Sequence, residues 1–91
     1  MQPAGQAPGP SAEGAALSDL IDYVARGLVD NEAAVQVGLN ERGHVVELRL
    51  TVDPEEMGKV IGRQGRVAKA LRGLLAAAAA RAGKRVSLEI G

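Results

Sequence analysis

Val60-Ile61-Gly62-Arg63-Gln64-Gly65 breaks an otherwise helical pattern, and the fold follows from what that break does. Upstream, Asp53-Pro54-Glu55-Glu56 is a helix start, with an N-cap Asp, Pro at the first helical position and Glu three residues after the cap. Downstream, Val67, Ala70, Leu71, Leu74, Leu75 and Ala78 recur at helical spacing up to Gly83, a C-terminal cap. Two glycines three apart between such segments give a tight turn with no Cβ at its tip, so another main chain can approach closely. The helix opening at about Arg66 aims free N–H groups and a positive dipole end into the same space. Arg63 and Arg66 add full charges there, and Gln64 adds an amide donor. The plainer alternative is an ordinary corner between two helices.

Outward from the turn, the pattern changes period. Leu17, Leu20, Ile21, Val24, Ala25, Leu28 and Val29 mark an amphipathic helix, with Ser18 as its expected N-cap. Val35, Val37 and Leu39 alternate with polar residues, as do Val46, Leu48, Leu50 and Val52 in the segment from His44. Glu41-Arg42-Gly43 is the expected turn of an antiparallel hairpin. Val86, Leu88 and Ile90 form a last strand. The order α-β-β-α-α-β predicts an α+β fold. The strands either side of the two helices run parallel, giving a three-stranded mixed sheet with three helices on one face and a polar opposite face. Residues 1–16, rich in Pro, Gly and Ala without large apolar side chains, read as a disordered tail, leaving a folded domain over 17–91.

The formal net charge is zero, from 11 basic and 11 acidic residues. That sum hides a division. From Met57 to Arg85 stand Lys59, Arg63, Arg66, Lys69, Arg72, Arg81, Lys84 and Arg85 with no Asp or Glu. Every acidic residue lies outside that stretch, so a polyanion partner is indicated. With no Cys and one His (His44), thiolate metal sites, disulfides and most catalytic triads are excluded, and no cofactor is expected. Tyr23, the single aromatic, rules out modules that stack bases on several aromatics; it lies at the edge of its helix's apolar stripe, expected to be partly buried. The longest wholly apolar run, Leu74 to Ala80, is too short for a membrane span, and no signal-peptide pattern opens the chain, so a cytoplasmic protein is expected. A nucleotide-binding P-loop is excluded as well, because Gly58 and Gly62 enclose three residues rather than four and are followed by Arg-Gln. Enzyme activity is not expected.

Val60-Ile61-Gly62-Arg63-Gln64-Gly65 resembles the V/I-I-G-x-x-G signature of KH domains, and the element order resembles their type II arrangement. The Asp-Pro-Glu-Glu-Met-Gly-Lys lead-in, the Arg-Val-Ala-Lys-Ala-Leu-Arg continuation and the Gly-Lys-Arg-Val ending look like the small bacterial single-KH proteins of the KhpA family. The resemblance implies non-catalytic binding of single-stranded RNA. Gly62, Arg63, Gln64 and Gly65 would hold phosphates, flanked by Lys59, Arg66 and Lys69, while Val60, Ile61 and Val67 would line an apolar groove for bases. Lys84 and Arg85, in the loop before the last strand, would face the nucleic acid from the other side. It further implies an RNA chaperone or post-transcriptional regulator working with a larger KH-containing partner of the KhpB (Jag, EloR) type.

Other functions stay open on the residues alone. The small core suits a protein-interaction module that forms a homodimer or pairs with a larger KH partner. Single-stranded DNA is a second ligand, since no reader of the 2′-hydroxyl is visible. Lys69 and Arg72 are either a solvated helix face or phosphate contacts. Gly58 either packs closely on another helix or admits a ligand. Asp22 and Arg26 have the spacing of a surface ion pair worth about 0.3–0.5 kcal/mol.

Overall fold

The computed structural model describes residues 11–91. Helix α1 (Ala12–Leu28) is followed by a 3₁₀ turn (Glu32–Ala34) and strands β1 (Gln36–Arg42) and β2 (Val45–Thr51). A second 3₁₀ turn (Pro54–Glu56) leads into α2 (Met57–Ile61), a third (Arg63–Gly65) into α3 (Arg66–Arg81), and β3 (Arg85–Ile90) closes the chain. The sheet order is β1-β2-β3, antiparallel in the first pair and parallel in the second, as the pattern predicts.

Alternation in β2 decides which face is covered. Val46, Leu48, Leu50 and Val52 are buried, and with Leu17, Ile21 and Ala25 of α1 and Leu71, Leu75 and Ala79 of α3 they make one core. Each large side chain taken fully from water there contributes about 1.5–3 kcal/mol. The opposite face is wet, carrying exposed ion pairs between Arg49 and Glu89 (2.9 Å) and between Arg42 and Glu47 (3.5 Å).

Several boundaries differ from expectation. Helix α1 starts at Ala12, with Ser11 and not Ser18 as its N-cap; Ser11 Oγ accepts the Gly14 N–H at 2.9 Å. Once Leu17 to Leu28 anchor the helix, further turns of Ala and Glu add at little cost, so absent large apolar residues do not end it. Residues 12–16 of the expected tail are therefore helical, and its first ten residues lie outside the described part. The hairpin turn is Gly43-His44, not 41–43, because Arg42 still pairs with Val45 and Gly43 takes the positive φ (57°) that a two-residue turn demands. Tyr23 is 79% exposed, not partly buried, since the stripe of α1 that meets the core is narrow and runs through Leu17, Ile21 and Ala25.

The helix start at Asp53 is only half as read. Asp53 caps its turn, accepting the Glu55 N–H at 3.0 Å. Glu56 does not turn back to that cap. Its carboxylate instead accepts the Asp30 N–H at 2.6 Å and the Asn31 N–H at 2.8 Å, tying α2 to the chain leaving α1. Asp22 and Arg26 do pair, at 3.0 Å, and the same guanidinium donates to the Glu32 carbonyl at 2.9 Å.

Candidate nucleic-acid interface

The turn between α2 and α3 is built from backbone conformations that few residues adopt. Gly62 has φ 76° and ψ 170°, Gln64 is left-handed at φ 58°, and Gly65 is left-handed at φ 73°. A Cβ on Gly62 would run into the Val67 side chain and lie 2.9 Å from the Val67 amide nitrogen, so only glycine fits. A Cβ on Gly65 would meet nothing within 4 Å; its need for glycine is the left-handed backbone, and the space before it is open. No side chain caps α3 at Gly65, which leaves the N-terminal end of a 16-residue helix presented at that opening. Gly58, one turn earlier, also has nothing within 4 Å of an added Cβ, which argues against the close-packing reading and leaves its main chain open to solvent.

The predicted site residues do not all meet at one surface. Arg63, Gln64, Arg66 and Lys69 are exposed around the turn, and among the described residues none of these cations is paired with a carboxylate. Ile61 (37% exposed) and half-buried Val67 stand beside them. Val60 does not: with no exposed surface it belongs to the core and cannot line a groove. Adjacent residues of a helix point about 100° apart, so the docking of α2 that buries Val60 leaves Ile61 at the surface.

Two predicted cations are paired with carboxylates, Lys59 at an exposed site and Lys84 at a largely covered one. Lys59 Nζ lies 2.8 Å from Asp30 Oδ2 and 3.0 Å from Glu56 Oε2, and those bonds, to Asp30 first, raise its pKa. Glu56 is held below its usual range mainly by the Asp30 and Asn31 amides. Lys84 points away from the expected face, pairing with Glu41 at 2.8 Å. Asp30 and Glu41 come from segments distant in sequence, so a local stretch free of acids gives no warning of them, whereas Glu56 stands three residues before Lys59. Arg85 is exposed at the start of β3.

The structure adds a trough that the sequence pattern does not announce. Arg72, Leu75, Ala76, Val86, Ser87 and Leu88 line a cavity of about 310 Å³ between α3 and β3. β3 is an edge strand. The Arg85 N–H bonds the His44 carbonyl and the Gly91 N–H bonds the Leu50 carbonyl, so backbone groups of the intervening even-numbered residues face the unpaired edge. There Arg72 Nε donates to the Leu88 carbonyl at 3.2 Å. The trough lies beside the middle of α3 and the first half of β3. Leu75 and Leu88 register in sequence only as core; Ala76, small enough to leave the depression open, is the missed signal.

A helix, a hairpin and a helix pair crossing back to a parallel edge strand, with a G-x-x-G turn between the paired helices, define a KH domain of type II arrangement. Residues 18–90 match the family model described as KhpA/KhpB, KH domain, and the chain belongs to that family. It is similar to the RNA-binding protein KhpA of Aquifex aeolicus, 51% identical over 75 residues that make up 82% of this chain and 95% of that one. The proteins of the same name in Halalkalibacterium halodurans (45% identical, 81% of this chain and 97% of that one) and Bacillus subtilis (42%, 81% and 91%) are similar too. The family is non-enzymatic. Among the described residues no helix is long and apolar enough to cross a membrane.

Proposed function

We propose that this chain binds single-stranded RNA without catalysis, holding phosphates at Gly62–Gly65 and bases along the trough beside α3. The observation that carries this reading is the open left-handed turn with Arg63, Gln64 and Arg66 exposed around an uncapped helix start. The relatives' name, RNA-binding protein, supports it. Bases would be read by van der Waals contact with Ile61, Val67 and the trough and by hydrogen bonds to the β3 edge, which requires no aromatic. Contacts to about four phosphates predict a log–log salt slope near −3, from about 0.7 per phosphate on a single strand. The test is a salt titration of a labelled ten-nucleotide oligouridine with the natural chain and with Arg63→Asp/Gln64→Asp. The variant should lose binding while its circular dichroism stays native; unchanged affinity would sink the reading. Oligodeoxyuridine of the same length separates RNA from single-stranded DNA.

The finer role belongs to the same reading: a cytoplasmic RNA chaperone or post-transcriptional regulator acting with a KhpB-type KH partner, a pairing suggested by the joint KhpA/KhpB family description. A second reading, self-association or pairing with that partner, is favoured by one observation. Leu74 is 46% exposed on α3, and a groove of about 370 Å³ between α1 and α3 is lined by Ala16, Leu17, Leu20, Ala78 and Ala82. Light scattering of the natural chain and of Leu74→Glu tests it. A monomer in both removes self-association, and pull-down of a KhpB-type protein by each then decides the partner.

A further inference from the structure

Glu41, near the end of β1, sits at the meeting point of three segments. Its Oε1 accepts the Ser11 N–H at 3.0 Å, and its Oε2 accepts the Ser11 hydroxyl at 2.6 Å and the Lys84 ammonium at 2.8 Å. The Lys84 and Glu41 side chains are only 15% and 14% exposed, whereas the ion pairs on the far sheet face stand in solvent. Lys84 foremost, then Ser11, draws the Glu41 carboxyl from 4.5 to about 2, so it stays charged under ordinary conditions. The first turn of α1 is shaped to admit it. A Cβ on Gly14 would collide with Glu41 Oε1 and lie 3.1 Å from its Cδ.

The parts of this junction have different standing. Glu41 and Lys84 fall within residues 18–90, the stretch that matches the family model, but Ser11 and Gly14 precede it. Lys84 lies in the loop between α3 and β3, two residues before Val86 of the trough. The 16 residues of α3, about 24 Å of helix, separate that loop from the Gly62–Gly65 turn. The ammonium is engaged by a carboxylate, whereas Arg63, Arg66 and Lys69 at the other end of α3 are exposed and, among the described residues, unpaired with carboxylates.

We propose that Ser11 and Glu41 form a latch holding the Lys84 ammonium off the nucleic-acid face, so that residues ahead of the family-matched core set how many phosphates this chain engages. The proposal rests on the RNA-binding reading. Closed, the latch leaves the loop between α3 and β3 without a free cation on the helix side, because Arg85 alternates with core-facing Val86 and Leu88 and shares the far sheet face with Glu89. Open, it adds Lys84 there. The competing role, simple fastening of α1 to the hairpin, predicts no change in phosphate count.

Salt titration of the ten-nucleotide oligouridine decides between them. Glu41→Gln keeps the shape of the side chain and removes its charge; it should steepen the log–log slope by about 0.7, one further phosphate, and tighten binding at low salt. Glu41→Gln/Lys84→Gln should return the slope to that of the natural chain. Glu47→Gln, the same charge change on the far sheet face, should leave it unmoved. An unchanged slope in Glu41→Gln, or a double variant that stays steep, overturns the latch. If Glu41→Gln fails to fold by circular dichroism, Ser11→Ala and lysine acylation read by mass spectrometry take its place. Lys84 should be protected relative to Lys69 in the natural chain and should gain reactivity in Ser11→Ala, and equal reactivity in both chains overturns the proposal. Absence of oligouridine binding by the natural chain fails the RNA reading itself, whereas binding with an unaltered variant slope fails the latch alone.

Discussion

The two ends of α3 carry similar charge in sequence and opposite arrangements in space. At the N-terminal end, Gly62 and Gly65 hold the chain open, no side chain caps the helix, and Arg63, Arg66 and Lys69 face solvent without carboxylate partners among the described residues. At the C-terminal end the backbone is closed. The Gly83 N–H bonds the Ala80 carbonyl at 3.1 Å and the Lys84 N–H bonds the Ala79 carbonyl at 2.8 Å, a Schellman cap, with Lys84 drawn to Glu41. Glycine serves both ends for one reason, positive φ. At one end it leaves main-chain donors available, and at the other it satisfies the last carbonyls. A count of basic residues therefore overstates the positive face, because burial and partner choice decide which charges a polyanion meets.

The largest expected effect breaks the open end. Gly62→Ala combines a strained φ of 76° with overlap on Val67, and should lower unfolding free energy by about 1–3 kcal/mol in denaturant titration, with loss of oligouridine binding. Acid unfolding tests the carboxylates that engage lysines. Glu41 and Glu56 both have depressed folded-state pKa values, so their contribution is present above about pH 4.5 and fades as pH falls, toward about 2 for Glu41. Melting temperature should drop across that window, and Glu41→Gln/Glu56→Gln should flatten the drop. Lys59, whose pKa is raised, contributes with the opposite sign: its stabilisation holds below its ordinary 10.5 and is lost as pH climbs past it.

Glycine pairs sharpen the comparison further. Gly73→Ala, in mid-α3 with nothing near the added methyl, should stabilise by about 0.5–1 kcal/mol, while Gly14→Ala should lower the melting temperature despite its better helix propensity. The smallest effect separates engaged from available lysines. Lys69→Gln should flatten the salt slope of oligouridine binding by about 0.7, and Lys59→Gln, whose charge already faces Asp30 and Glu56, should leave it unchanged.

Much of this arrangement was legible from local pattern. Period and punctuation gave the element order, the parallel β2–β3 pair and the G-x-x-G turn, because alternation and glycine spacing act through neighbouring residues. What local pattern does not carry is contact between distant segments. Lys84 meets Glu41 across 43 positions and Glu56 meets Asp30 across 26, and neither partner is marked by spacing. Val60 and Ile61 are chemically alike, so which one is buried depends on how α2 docks. The start of α1 leaves no apolar signature, because helix extension from an anchored segment needs only a cap, which Ser11 supplies.

The parallel pairing of β2 with β3 bears on the order in which the molecule assembles. The hairpin closes through Gly43-His44, but Val45 must wait for Arg85 until two helices have formed and packed between them. Contacts that close so long a loop are late in entropic terms. Since one wall of the trough is β3 itself, a growing chain has its G-x-x-G turn well before it has the trough. On the proposed RNA-binding reading, binding competence arrives with the final strand, and a chain ending before Arg85 would keep most of its cations yet lack the trough.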